Sequence, residues 1–414
     1  MRLDISSPVR KRAFLLVCAA LLSLAWALSC QALIEHWLDR SATVKNAALA
    51  AQLQPLNAEH HEMLGFLLMG PTYGDYPQAR MHLEKAVAIN SHSSRSWLLL
   101  ANIYEVLGDN TARRDAVLHA LASEPRDTQV QWEAANLYLT TDLDRSLQLL
   151  RGVVESAPAY APAAMGVAYR GANNNIDKAM LAIPLETSSR LQLMHWLLDR
   201  AQTAAADRVW PTVLTAPGPL QASDTFFYLD SLLARHEPDR AFAAWSALAQ
   251  RDSALHLQPG NLISNGDFEG DLLNGGFGWR YAPTAGVTAS LDTSTFHGGT
   301  RSLALLIDGE NLQDFGFRQL VKVEGGGHYR LTGWLHAEEL EAAHGVRLAV
   351  VDGYSRAPFL LSEEALGSFS WREFGGDFTV PAETKLVTVF VTRSPAEGLI
   401  RGKLWLDDLR IEKQ

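Results

Sequence analysis

Side chains able to do acid–base, nucleophilic or metal chemistry are numerous in this chain, and their spacing decides what they can do. His60-His61-Glu62 supplies the first half of a two-histidine zinc site on one helix face, but Gly65 stands where the second histidine is needed. That stretch therefore reads as the polar face of a helix. Glu338-Glu339 and Glu363-Glu364 are sequence neighbours, so on a strand each pair points to opposite faces and cannot share a substrate. The 13 histidines are scattered without ligand spacing. Neither a Gly-x-Ser-x-Gly elbow nor a phosphate-cradling Gly-x-x-x-x-Gly-Lys loop occurs. Gly325-Gly326-Gly327 joins two strand-like runs with no helix behind it, which makes it a turn. Cys18 and Cys30 are too few for a disulfide framework or a zinc ribbon and read as small apolar filler. The sequence predicts a non-catalytic protein without a cofactor.

The chain has 414 residues, 47% of them hydrophobic, enough for two or three folded domains. Its formal net charge of −10 argues against a polyanion, so nucleic acid is excluded as a partner. Arg10-Lys11-Arg12 precede an uncharged run from Ala13 to Ile34. As a helix this run spans about 33 Å, enough to cross a hydrocarbon core. The basic flank before it, with Glu35 and Asp39 after it, predicts residues 1–12 as a cytoplasmic tail and 13–34 as an inner-membrane anchor. The bulk of the chain is then periplasmic. The same residues also fit a cleaved signal peptide with Ala25-Trp26-Ala27 as its small-x-small site, which would leave the protein secreted. A lipid anchor on Cys30 is disfavoured, because Ala27 stands where a large aliphatic residue is usual. Each alternative exports the remainder.

Residues 45–252 repeat with a period of 34. Gly74-Asp75 maps on Gly108-Asp109, Leu83 on Val117, Ala86 on Ala120, and Tyr104 on Tyr138. The clearest copy reads Trp97-x2-Leu100-Ala101-x2-Tyr104, then Gly108-Asp109, Val117, Ala120 and Pro125. This resembles the tetratricopeptide repeat. Two apolar stripes at helical spacing, parted by Gly-Asp, make an antiparallel helix pair that cannot bury its face alone. Four to six such pairs are expected, with 184–222 irregular or holding only short helices because Pro184, Pro211, Pro217 and Pro219 interrupt the pattern. A last hairpin is expected at 224–250. Arrays of this kind bind a peptide or protein on the face formed by the first helix of each pair, here including Asn102, Glu105, Asn136 and Thr140.

At Pro259-Gly260 the texture changes to Gly-rich turns and short alternating strands, the pattern of an all-β sandwich. Its landmarks are Asn265-Gly266-Asp267-Phe268-Glu269, Gly278-Trp279, His297-Gly298-Gly299, Tyr329-Arg330-Leu331-x2-Trp334, Trp371-Arg372-x-Phe374 and Trp405-Leu406-Asp407-Asp408. Residues 260–414 thus resemble the galactose-binding-like jelly roll of non-catalytic carbohydrate-binding modules. The resemblance implies adjacent first and last strands and a structural Ca²⁺ held by Asp267 through its carbonyl, Glu269 and Asp407, oxygen ligands that suit this hard cation. It also implies glycan binding by solvent-facing aromatic residues, for which Phe315, Phe317, Tyr354 and Tyr281 are the candidates. Trp334, Trp371 and Trp405 read as core.

The predicted protein is therefore multidomain: an N-terminal transmembrane helix, an all-α helical repeat solenoid and an all-β jelly-roll sandwich. Its expected role is a non-catalytic envelope adaptor that docks a protein through the repeats, in polysaccharide or envelope assembly. The alternative is a carbohydrate-binding protein whose jelly roll recognises glycan, with the repeats as spacer.

Overall fold

The computed structural model describes residues 8–40, 42–252, 255 and 257–414. Residues 1–7 of the expected cytoplasmic tail lie outside the described residues. Two compact units are present, Met1–Pro184 and Leu185–Gln414.

The first unit opens with α1 (Pro8–Arg40). Its segment Lys11–Ile34, 24 residues with a mean hydropathy of 2.3, is long and apolar enough to cross a membrane, and its most apolar stretch is not buried. The helix α2 (Val44–Leu53) follows, and then helix pairs. These are α3 (Ala58–Met69) with α4 (Tyr76–Ile89), α5 (Ser94–Leu107) with α6 (Asn110–Ser123), α7 (Thr128–Tyr138) with α8 (Leu143–Ser156), and α9 (Ala161–Gly171) with the single turn α10 (Ile176–Ala179). The repeat is written in its caps. Asp75, Asp109 and Asp142 open the second helices of the first three pairs, and Asn57, Ser93 and Asp127 open the first helices. Each cap side chain accepts an otherwise orphaned N–H of the first turn. Ala101 and Ala120 are fully buried, so paired helices approach closely, and Leu83, Leu100, Ile103 and Val117 fill the space between pairs. Trp97 is half-buried and stacks on His119 at 4.4 Å.

The second unit begins with two further pairs: α11 (Thr187–Leu198) with α12 (Thr203–Thr215), and α13 (Phe226–Ala234) with α14 (Pro238–Leu248). The expectation of an irregular 184–222 is corrected here. Pro217 and Pro219 lie beyond the end of α12, while Pro211 sits inside it on the exposed side. A proline within a helix costs about 3 kcal/mol. The buried stripe Ala205, Ala206, Val209, Trp210 and Val213 outweighs that loss.

The sandwich has two five-stranded antiparallel sheets. Its strands are β1 (Arg280–Tyr281), β2 (Val287–Asp292), β3 (Ser302–Glu310), β4 (Asp314–Lys322), β5 (His328–Ala342), β6 (Val346–Asp352), β7 (Pro358–Leu361), β8 (Gly367–Thr379), β9 (Leu386–Arg393) and β10 (Leu399–Lys413). One sheet runs β1-β4-β9-β6-β7 and the other β2-β3-β10-β5-β8. Between them lies a core that includes Phe268, Trp279, Leu331, Phe374 and Val389. The opening segment lies along β10, as the resemblance implies. The Leu262 amide donates to the Ile411 carbonyl at 2.9 Å and the Leu409 amide to the Gly266 carbonyl at 2.8 Å.

The α13–α14 hairpin is built into the sandwich. Trp245 on α14 is fully buried, with Phe226 and Phe277 at 6.3 and 6.2 Å. Around this apolar contact, Arg280 pairs with Asp230 at 2.7 Å, while Lys322 and Lys385 pair with Asp239 at 3.2 and 2.6 Å.

Candidate functional site

In the first unit, the first helices of successive pairs frame a cavity of about 450 Å³. Phe66 on α3, Arg95, Leu98 and Leu99 on α5, and Val130 and Glu133 on α7 line it. Phe66 is 46% exposed, an unusual position for a large ring unless something covers it. Arg95 lies over that ring at 5.9 Å and pairs with Glu62 at 3.2 Å. Glu62 also accepts from the Ser93 and Ser96 hydroxyls, so one carboxylate fixes the approach of α5 to α3.

The expected interface residues fall near this groove without lining it. Asn102 lies one turn past Leu98, and its amide donates to the Leu98 carbonyl at 2.9 Å. Asn136 repeats the arrangement toward the Trp132 carbonyl at 2.8 Å. Glu105 accepts from the buried Arg113 at 3.2 Å. Thr140 is a correction: α7 ends at Tyr138, so Thr140 is an exposed turn residue and not part of a first helix. Phe66 is the exposed member of this groove, an apolar residue on the polar side of its helix, whereas Leu98 belongs to the repeat core.

His60 and His61 also depart from expectation. Both are buried in the first pair, with the Nδ1 atoms of His61 and His82 3.1 Å apart. Burial and the neighbouring His61 hold the His82 pKa below the usual histidine value. At Gly65 a Cβ would come within 2.6 Å of Leu83 Cγ, so the position that interrupts the zinc pattern is required for helix–helix approach.

In the sandwich, the residues expected to hold calcium are bound by protein donors. Asp407 Oδ2 accepts from the His297 and Gly298 amides at 2.8 and 3.0 Å, and Oδ1 from the Asp408 amide at 2.8 Å. Burial raises its pKa against those bonds. Glu269 Oε1 accepts from the Thr300 and Arg301 amides at 2.7 and 3.1 Å, and Oε2 from the Thr300 hydroxyl at 2.6 Å. Burial raises the Glu269 pKa, but these hydrogen bonds together outweigh it and leave the group below its usual range. The Arg301 guanidinium reaches the Glu269 carbonyl. Asp267 gives one oxygen to Gln258 and keeps Oδ1 buried without a partner. Among the described residues no group of three or more His, Cys, Asp or Glu is placed to hold a metal. Glu269 and Asp407 thus pin the 297–301 loop.

The aromatic candidates divide. Phe315 and Phe317 are fully buried, a correction. They share a face of β4, but it is the core face, where Phe317 meets Trp279 at 5.5 Å. Tyr354 is 38% exposed, yet it stacks on His236 at 4.1 Å and donates to the Leu233 carbonyl at 3.1 Å, so it ties the sandwich to α13. Tyr281 is half-buried, 5.9 Å from Phe317, and lines a surface cavity. Two of the three tryptophans expected in the core are also corrected. Trp334 and Trp371 are half-buried on the outer face of the β10-β5-β8 sheet. There His297 stacks on Trp334 at 4.0 Å, Trp371 reaches His297 at 5.8 Å and His336 at 5.6 Å, and His336 meets Trp405 at 4.9 Å. Trp405 is buried, and its Nε1 donates to Asp292 at 2.8 Å. That bond, after the one from the Ser294 hydroxyl, holds the Asp292 pKa down at about 2.

No protein-family model matches the chain. No curated protein matches it either. The solved structures to which it is similar include both tetratricopeptide proteins and carbohydrate-binding modules. A structure described as "CBM4 structure and function" is 14% identical with a TM-score of 0.29, over 37% of this chain and 99% of that one. MamA is 17% identical with a TM-score of 0.30, over 39% and 88%. YrrB, described as "a TPR protein with an unusual peptide-binding site", is 13% identical with a TM-score of 0.29, over 41% and 91%.

Proposed function

We propose that this chain is a non-catalytic, membrane-anchored adaptor of the cell envelope, which docks a protein partner on its helical repeats while its sandwich recognises glycan. The observation that carries the first part is the groove across α3, α5 and α7, with Phe66 exposed above Leu98 and Leu99. A groove with an apolar floor and acidic walls, Glu124, Asp127 and Glu133, suits a partner segment with apolar anchors and basic neighbours. The non-catalytic reading is supported by what the reactive side chains do. The buried histidines close the first repeat, and Glu269 and Asp407 hold a loop. The bare apolar helix α1 supports an inner-membrane anchor with the bulk of the chain in the periplasm, serving polysaccharide or envelope assembly.

Crosslinking in intact envelopes tests the adaptor reading. Phe66→Glu with Leu99→Glu should abolish the crosslink to the partner while the melting temperature stays within a few degrees. Retention of the same crosslinked protein would overturn it. Resistance of the full chain to alkaline extraction from membranes, with release of a chain lacking residues 1–34, is the result expected of the anchor.

A further inference from the structure

The β1-β4-β9 strip of the sandwich carries arginines where a β-sheet normally avoids them. Arg280 on β1 lies directly opposite Arg318 on β4, and Arg318 lies opposite Phe390 on β9. The Arg356 guanidinium stands 5.3 Å over the Phe390 ring. All three arginines line one surface cavity of about 420 Å³, together with Asn274, Tyr281 and Thr388. Like charges directly opposite on neighbouring strands destabilise a sheet, and this cluster forms in a chain whose net charge is −10.

Neutralisation from within is incomplete. Arg280 has Asp230 at 2.7 Å, and its Nε is buried without a hydrogen-bond partner. Among the described residues, Arg318 and Arg356 form no ion pair. The nearest candidate acid in sequence, Asp352, is committed to the Tyr354 and Ser355 amides at 2.9 and 2.7 Å and to the Thr384 hydroxyl at 2.9 Å. No carboxylate lines the cavity. Its remaining lining residues include Asn274, Thr388, Tyr281 and the apolar Ala282 and Leu320.

We propose that this cavity binds the carboxylate of an acidic sugar residue, so that the sandwich recognises a uronate-containing glycan. The inference rests on the glycan-recognition reading given above and names its ligand class. A planar guanidinium offers two parallel N–H donors that match a carboxylate, which a neutral sugar cannot use. The Asn274 Oδ1 already accepts from the Tyr281 amide at 2.9 Å, which leaves its NH₂ to donate to sugar hydroxyls. Leu320, two residues on from Arg318 and so on the same face of β4, supplies an apolar contact beside the charges. The volume falls within the roughly 300–1,000 Å³ usual for small-molecule sites, room for one or two sugar residues.

Calorimetric titration of the detergent-purified full chain tests this, with oligogalacturonate, its carboxyl-reduced neutral counterpart, neutral xylan and glucan oligomers, and oligoglutamate as probes. Oligogalacturonate should bind, with affinity falling as salt rises, and Arg318→Ala should weaken it at least tenfold. Arg318→Lys, which keeps the charge and loses the fork, should fall between. Without ligand, Arg318→Ala should melt at the same temperature as the parent or higher, because it relieves repulsion; a lower melting temperature with unchanged binding would make Arg318 structural and overturn the proposal. Equal binding of the carboxyl-reduced oligomer would overturn acidic selectivity and leave glycan recognition standing. Binding of none of the sugars would overturn both. Oligoglutamate binding with the same Arg318 dependence would reassign the cavity to an acidic peptide.

Discussion

A Cβ added at Gly276 would lie 2.5 Å from Trp245 Cζ3, and the backbone there has φ +55°, a conformation that suits glycine. Trp245 itself has no exposed surface. Truncating a buried tryptophan to alanine costs about 3–5 kcal/mol. Trp245→Ala and Gly276→Ala should each lower the melting temperature of the full chain by several degrees, as read by circular dichroism. An unchanged melt for both would mean that hairpin and sandwich are not joined through this contact. None of it was legible in the sequence, because Trp245 and Gly276 meet across the change in texture at Pro259-Gly260, where local pattern carries no information about long-range packing. The buried state of Phe315 and Phe317 was hidden for a related reason. Alternation tells which residues share a face of β4 but not which face meets the core.

At the scale of elements, the helix caps and the 34-residue period were readable, because capping and stripe spacing are local physics. Helices α11 and α12 were not, because proline is a strong local signal that a buried stripe can override. Replacing Pro211 by alanine restores one helical hydrogen bond and removes a steric clash. It also returns freedom to the unfolded chain, so the expected net gain is about 2 kcal/mol. Chemical denaturation would show it as a higher midpoint with an unchanged slope. A loss of stability would show that Pro211 sets the local geometry of α12. Strands β1 and β7, of two and four residues, are too short a run for alternation to register.

For the molecule as a whole, charge organises the second unit. Asp239 is held below the usual carboxylate range by its hydrogen bond to Lys385, and further by Lys322. Burial raises the Asp207 pKa, but Arg235 and Arg240 together outweigh it and leave that group lowered too. A lowered folded pKa contributes stability that is present above the ordinary carboxylate value of 3.8 and is lost as pH falls through the folded value. The melting temperature of the full chain should therefore decline between about pH 5 and pH 3. In Asp239→Asn that decline should be shallower, since one of the titrating groups is gone. Identical pH profiles for parent and variant would remove Asp239 from the account. Exposed pairs of this kind are screened by salt, so the difference should shrink at high ionic strength.

The burial of Trp245 against Phe277 also bears on how such a protein is inherited. A gene segment cut at the visible change of texture, near Pro259, would deliver a sandwich with the Phe277 ring bare, Arg280 without Asp230, and two lysines without Asp239. A recombination that began at Leu185 would deliver the same sandwich with its hairpins and with those charges matched. The segment that can be transplanted intact is therefore about 75 residues longer than one cut at Pro259-Gly260.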